Sequence, residues 1–126
     1  MTNGNLDVVQ GAYEAFGRGD VAAVLAALTE DVEWHAAPAL LPHGMDASGR
    51  EQVGEFFQKL TDTWEDFGIE LDAFVASEDR VCVVGRASGR LDGAERSYGF
   101  VHAWTVRDGS LARFEEYVNA APGASG

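Results

Sequence analysis

The hydrophobic period of this chain changes once, near Gly68, and that change constrains the fold more than any other feature. Before it, apolar side chains recur every three or four residues. Leu6, Val9, Tyr13 and Phe16 line one face of a predicted helix. Asp20 is placed to cap a second helix carrying Val21, Val24, Leu25 and Leu28. Val53, Phe56, Phe57, Leu60 and Trp64 mark a third, from about Arg50 to Glu65. After Gly68 the period is two: Ile69, Leu71 and Ala73 alternate with Glu70 and Asp72, with a bulge expected over Phe74–Ala76. Asp92-Gly93 and Asp108-Gly109 are hairpin signals joining strands over Arg80–Arg90, Glu95–Arg107 and Leu111–Asn119. Helices ahead of a strand meander predict an α+β fold, with three N-terminal helices packed on a curved antiparallel sheet.

A chain of 126 residues suits one domain, so residues 1–126 are read as a single unit. No apolar run is long enough to span a bilayer, and the start is polar, so a cytoplasmic location is expected. A net charge of -12 repels phosphate backbones and argues against nucleic-acid binding. The single cysteine, Cys82, excludes an intramolecular disulfide and lies in an apolar run that suggests a buried thiol. Between β-like Val32–Ala36 and the third helix, residues 37–49 carry Pro38, Pro42 and Gly44 together with Leu40, Leu41 and Met45. An apolar loop of this kind suits a cover over a cavity, and His43 lies within it.

Alternation assigns faces. On the Glu95–Arg107 strand, Tyr98, Phe100, His102, Trp104 and Val106 form the larger apolar set and point inward. On Arg80–Arg90 the arginines resist burial, which turns Val83, Gly85, Ala87 and Gly89 inward. Such a stripe of small residues leaves space, filled either by Phe100, Trp104 and helix side chains or by a ligand. On the last strand Phe114 draws Glu116 inward, and the Asp108-Gly109 hairpin sets it beside the strand of His102. A His–Glu pair in an apolar interior can fix a tautomer and hold an acid or base near working pH. His102 and Glu116 are therefore the first catalytic candidates, against a purely structural pair. His35 is a third, on a strand whose facing is ambiguous. Tyr13, Trp34, Phe57, Val83, Gly85, Ala87, Phe100, Trp104 and Phe114 are the expected ligand-lining set. No His-Glu-x-x-His or His-x-His spacing supports a metal, and no cofactor is expected.

Four segments carry a resemblance: Val8-Val9-Gln10 through Ala15-Phe16 with Gly19-Asp20; Leu28-Thr29-Glu30-Asp31-Val32-Glu33-Trp34-His35 followed by Pro38; Gly49-Arg50-Glu51 with Phe56-Phe57; and His102 through Gly109 with Phe114-Glu115-Glu116-Tyr117. In these the chain resembles the NTF2-like superfamily, most closely its SnoaL-like branch, which is also similar to ketosteroid isomerases and polyketide cyclases. The resemblance implies a cone-shaped fold, a hydrophobic pocket between helices and sheet, a small hydrophobic partner molecule, and a homodimer through the outer sheet face. It implies an isomerase, cyclase or dehydratase acting by proton transfer on a hydrophobic cyclic or polyketide-like substrate, or a non-catalytic ligand-binding or dimeric domain of the same fold. Laid on the isomerase pattern, the helix tyrosine falls on Ala12, beside Tyr13; the general base falls on Ala36 or Ala37; the oxyanion acid falls on His102. Two of three catalytic positions are unmatched, so a steroid isomerase is not expected. The aspartate that often follows Glu-Tyr in SnoaL-like sequences is replaced by Asn119.

Overall fold

The computed structural model describes residues 4–37 and 45–119. Residues 1–3, 120–126 and all of 38–44, including His43, lie outside the described residues. Helices α1 (Gly4–Gly17) and α2 (Val21–Ala26) lead into strand β1 (Leu28–Ala36), the short β2 (Met45–Ser48) and helix α3 (Arg50–Thr63). Four long strands follow: β3 (Trp64–Ser77), β4 (Arg80–Leu91), β5 (Ala94–Arg107) and β6 (Ser110–Val118). They form one curved, open six-stranded sheet in the order β2-β1-β6-β5-β4-β3.

All neighbouring pairs are antiparallel except β1 and β6, which run parallel. That pair departs from the wholly antiparallel sheet expected. Parallel neighbours need a long crossover, and here everything from β2 to β5 lies between them in the chain. The meander itself follows the turn chemistry. Asp92-Gly93 and Asp108-Gly109 have φ of 54°/79° and 53°/80°, the left-handed pairs of tight hairpin turns.

Asp20 caps α2 as expected, its side chain accepting from the Ala23 N–H at 3.1 Å. α1 buries Val9, Ala12 and Ala15, so its packed stripe turns onto the alanines and leaves Tyr13 and Phe16 half-buried. α3 buries Val53, Phe56, Phe57 and Leu60. Trp64, assigned to that helix from its spacing, is instead the first residue of β3 and is 4% exposed. The β3 bulges fall at Glu65/Gly68 and Leu71/Ala73, ahead of the expected Phe74–Ala76 position. The register shifts at Thr105/Val106, and Leu111 beyond it is fully buried. Cys82 is half-buried on the outer face, because Val83 takes the inner one.

The core sits between the helices and the concave sheet face. Phe56, Leu28, Leu111, Val9, Val32 and Val83 are all under 2% exposed, and each such burial favours folding by about 1.5–3 kcal/mol. No helix among the described residues is long and apolar enough to cross a membrane.

Candidate active site

Register brings the site together. His102 on β5 stands directly across from Glu116 on β6. His102 Nε2 lies 3.1 Å from Glu116 Oε2, and Glu116 Oε1 accepts the Ala37 N–H at 3.0 Å. From α1, the Tyr13 hydroxyl meets His102 Nδ1 at 2.5 Å, and Trp104 Nε1–H donates to the same hydroxyl at 3.0 Å. These contacts fix the proton positions. A carboxylate only accepts, so His102 carries its proton on Nε2. Nδ1 is then an acceptor, and Tyr13 donates to it. The chain of bonds therefore runs from Trp104 through Tyr13 to His102, and from His102 to Glu116.

The surroundings are dry. The His102 and Glu116 side chains are 11% and 1% exposed, and Phe100 stacks on the imidazole at 3.9 Å. Burial holds the His102 pKa below its usual 6.5, with the Glu116 charge pulling the other way. Burial likewise pushes the Tyr13 pKa far up, opposed by the Trp104 hydrogen bond and reinforced by Glu116. Neutral imidazole and protonated phenol are thus the resting forms at neutral pH.

Beside this chain lies a cavity of about 70 Å³, walled by Trp34, Phe57, Ala87, Phe100, Trp104 and Phe114, with Tyr13, His102 and Glu116 on its surface. Half-buried Phe16, Phe67, Ile69 and Tyr98 extend the lining, and buried Phe56 and Leu60 of α3 contribute to it. One buried polar atom among the lining residues, Trp34 Nε1, has no hydrogen-bond partner among the described residues. Burial, and then the nearby Glu116 charge, raise the Tyr98 pKa, so its phenol stays protonated.

Three sequence candidates lie elsewhere. His35 is on the opposite face, with Nδ1 2.8 Å from Asp46, because Trp34 takes the inner side of β1. Val83 is fully buried core and does not line the cavity. Gly85 does not either: a Cβ there would meet the Glu70 carbonyl and sit 2.8 Å from the Phe100 ring, so Phe100 fills its space. At Gly89 the Trp64 ring does the same, with a Cβ contact of 3.0 Å. Of the small-residue stripe, Ala87 is the member that lines this cavity. Sequence reasoning left Tyr98, Phe16 and Phe56 out of the lining set although their periodicity pointed inward; Phe67 and Ile69 were hidden by the β3 bulges. Asn119 clamps Gly99 at 3.1 Å, remote from the His102 chain. Ala37, one of the two residues at the expected base position, contributes only its backbone N–H. Among the described residues no three His, Cys, Asp or Glu side chains could hold a metal ion.

A mixed sheet with helices over its concave face and a polar chain inside is the architecture of NTF2-like proteins. An NTF2-like protein of unknown function from Burkholderia pseudomallei matches with a TM-score of 0.85 at 28% identity, covering 94% of this chain and 92% of that one. The structure of TerC co-crystallized with polyporic acid matches at 0.82 and 26% identity, covering 93% and 92%. A proposed polyketide cyclase from Xanthomonas campestris matches at 0.75 and 28% identity, covering 92% and 90%. No curated protein matches the sequence. The SnoaL-like domain model matches residues 9–114, and the chain belongs to that family.

Proposed function

We propose that this chain, acting as one domain over residues 1–126, is a small-molecule enzyme that moves a proton on a hydrophobic cyclic, polyketide-like substrate. The buried Tyr13–His102–Glu116 chain opening on an aromatic cavity carries the reading. The polyporic acid bound to TerC and the cyclase relative support it at the level of ligand class.

In the proposed cycle, a substrate carbonyl takes the Tyr13 hydrogen bond in place of His102. The freed Nδ1 then accepts a proton from the carbon beside that carbonyl. The C–H electron pair moves into the carbonyl, and the resulting enolate oxygen is held by the Tyr13 O–H, itself supported by Trp104. Glu116 stabilises the imidazolium through Nε2–H, as a carboxylate orients any catalytic imidazole. His102 returns the proton at another atom of the substrate. General acid–base transfer of this kind contributes about 10²–10⁴ in rate.

The test is deuterium incorporation into 2-tetralone in D₂O, followed by ¹H NMR. The native protein is expected to exceed the buffer rate; His102→Gln should remove the excess and His35→Ala, on the far face, should keep it. Binding without exchange above buffer would instead support the non-catalytic reading. One observation favours that second reading: both His102 nitrogens are already occupied by protein partners.

We also propose a homodimer through the outer sheet face. Val84, Val101 and Tyr117 form one cross-strand row there, and Val75, Val84 and Tyr117 are 61%, 37% and 56% exposed.

A further inference from the structure

Among the described residues that line the cavity, the titratable side chains are Tyr13 on α1, Tyr98 and His102 on β5, and Glu116 on β6. The lining residues of β1, β3, β4, α2 and α3 add none, and no Lys or Arg lines the cavity. The proposed cycle uses Tyr13, His102 and Glu116 and leaves Tyr98 without a task.

Alternation puts Tyr98, Phe100 and His102 on one face of β5, and Phe100 stacks on the imidazole at 3.9 Å. Tyr98 stands across from Ala87 of β4, and both line the cavity. The Trp64 ring packs against the phenol with centroids 6.5 Å apart. The Tyr98 hydroxyl is shielded from water, and its hydrogen bond goes to Glu116. A carboxylate only accepts, so Tyr98 donates.

Glu116 has reason to hold every donor it can reach. Its side chain is 1% exposed, and no cation faces it from the cavity wall. A buried charge of that kind is costly unless hydrogen-bond donors surround it. Ala37 N–H donates to Oε1 at 3.0 Å, and His102 Nε2 lies 3.1 Å from Oε2. Tyr98 O–H is a third donor, outside the run of bonds from Trp104 to Ala37. Two or three donors on one carboxylate hold it in the charged form. They act on its partner too. Glu116 raises the proton affinity of His102 against the lowering by burial. A third donor draws negative charge away from the oxygen facing Nε2, so the imidazole releases an added proton more readily.

We propose that Tyr98 is a positioning residue that acts through Glu116: its phenol O–H keeps the carboxylate ionised and turned to His102, and keeps the imidazole in the neutral form that can take a substrate proton. The catalytic consequence rests on the proton-transfer reading of this site; the effect on the His102–Glu116 pair does not.

The experiment follows the imidazoles of the ¹⁵N-labelled full chain by long-range ¹H–¹⁵N NMR from acid to neutral pH. The chain has three histidines, and His102→Gln identifies the signals of one. Tyr98→Phe keeps the ring and removes the donor. The His102 midpoint is expected to rise by about 0.5–1 pH unit, because part of the worth of a hydrogen bond to a charged group reaches the imidazole. Tyr98→Met removes the donor while a flexible apolar chain fills the wall, and should move the midpoint the same way; where one variant loses the fold, the other decides. Deuterium exchange into 2-tetralone should follow, its rise with pH moving to higher pH by the same amount, since the neutral imidazole is the base. A purely structural Tyr98 would lower the melting temperature and leave the midpoint in place. An unmoved or lowered midpoint in a folded variant overturns the proposal, and native exchange above the buffer rate then still supports the proton-transfer reading. A raised midpoint with no native exchange above buffer keeps Tyr98 as the residue that positions Glu116 and rejects that reading instead.

Discussion

Replacing Glu116 by Gln tests the hydrogen-bond chain where its count is tightest. In the native protein four donors meet four acceptor atoms: Ala37 N–H and His102 Nε2–H end on the two Glu116 oxygens, Tyr13 O–H ends on His102 Nδ1, and Trp104 Nε1–H ends on the Tyr13 oxygen. Gln supplies one oxygen and an NH₂ donor. One of the two N–H groups facing it then meets another donor. A tautomer change at His102 does not rescue the count, because Nδ1–H would face Tyr13 and leave the phenol proton without its acceptor. The orphan moves along the chain and stays buried. The expected loss of stability at pH 7.5 is about 1–3 kcal/mol, read from urea denaturation midpoints at constant slope.

The pH dependence carries a second signature. In the unfolded chain His102 binds a proton below about 6.5, its ordinary value. In the folded chain burial lowers that pKa. Between the two values the unfolded state binds more protons, so stability falls as pH drops below 6.5, by up to about 1.4 kcal/mol per pH unit from this residue. The Glu116 charge opposes the lowering, so Glu116→Gln should extend the loss to lower pH. A variant as stable as the native protein from pH 5.5 to 7.5 would refute the closed chain, and with it the resting tautomer on which the proposed cycle depends.

The glycine stripe and the outer face give two simpler tests. Gly85→Ala drives a methyl into the Glu70 carbonyl and to 2.8 Å from the Phe100 ring, an overpacking expected to cost about 1–3 kcal/mol; an unchanged melting temperature would contradict the close approach of β3 to β4. Light scattering should give twice the 13.5 kDa chain mass for the native protein and about the single-chain mass for Val84→Glu, whereas one chain mass throughout rejects the dimer.

The α+β order, the hairpin turns and the facing of β5 were legible because each depends on local rules. Period marks the elements, and Asp-Gly permits the left-handed turn residues. Alternation set His102 inward, and the turn at Asp108-Gly109 put Glu116 on the neighbouring strand. The element boundaries near Trp64 and the bulges in β3 were not legible. Both depend on where β3 meets β4, and no local signal reports that.

The site divides the same way. Sequence by itself determined that an imidazole and a carboxylate share an apolar face, since side-chain alternation needs only the strand. It did not determine that Tyr13 rather than its neighbour Ala12 reaches His102, because the rotation of α1 is set by what packs beneath it. It left His35 undecided until Trp34 claimed the inner side of β1, where its ring stacks on Phe114. It also left the glycine stripe as either cavity or core. Tertiary packing divided it, with Phe100 over Gly85, Trp64 over Gly89 and the cavity at Ala87. Volume is filled by residues distant in the chain, so only the folded arrangement decides which gap stays open.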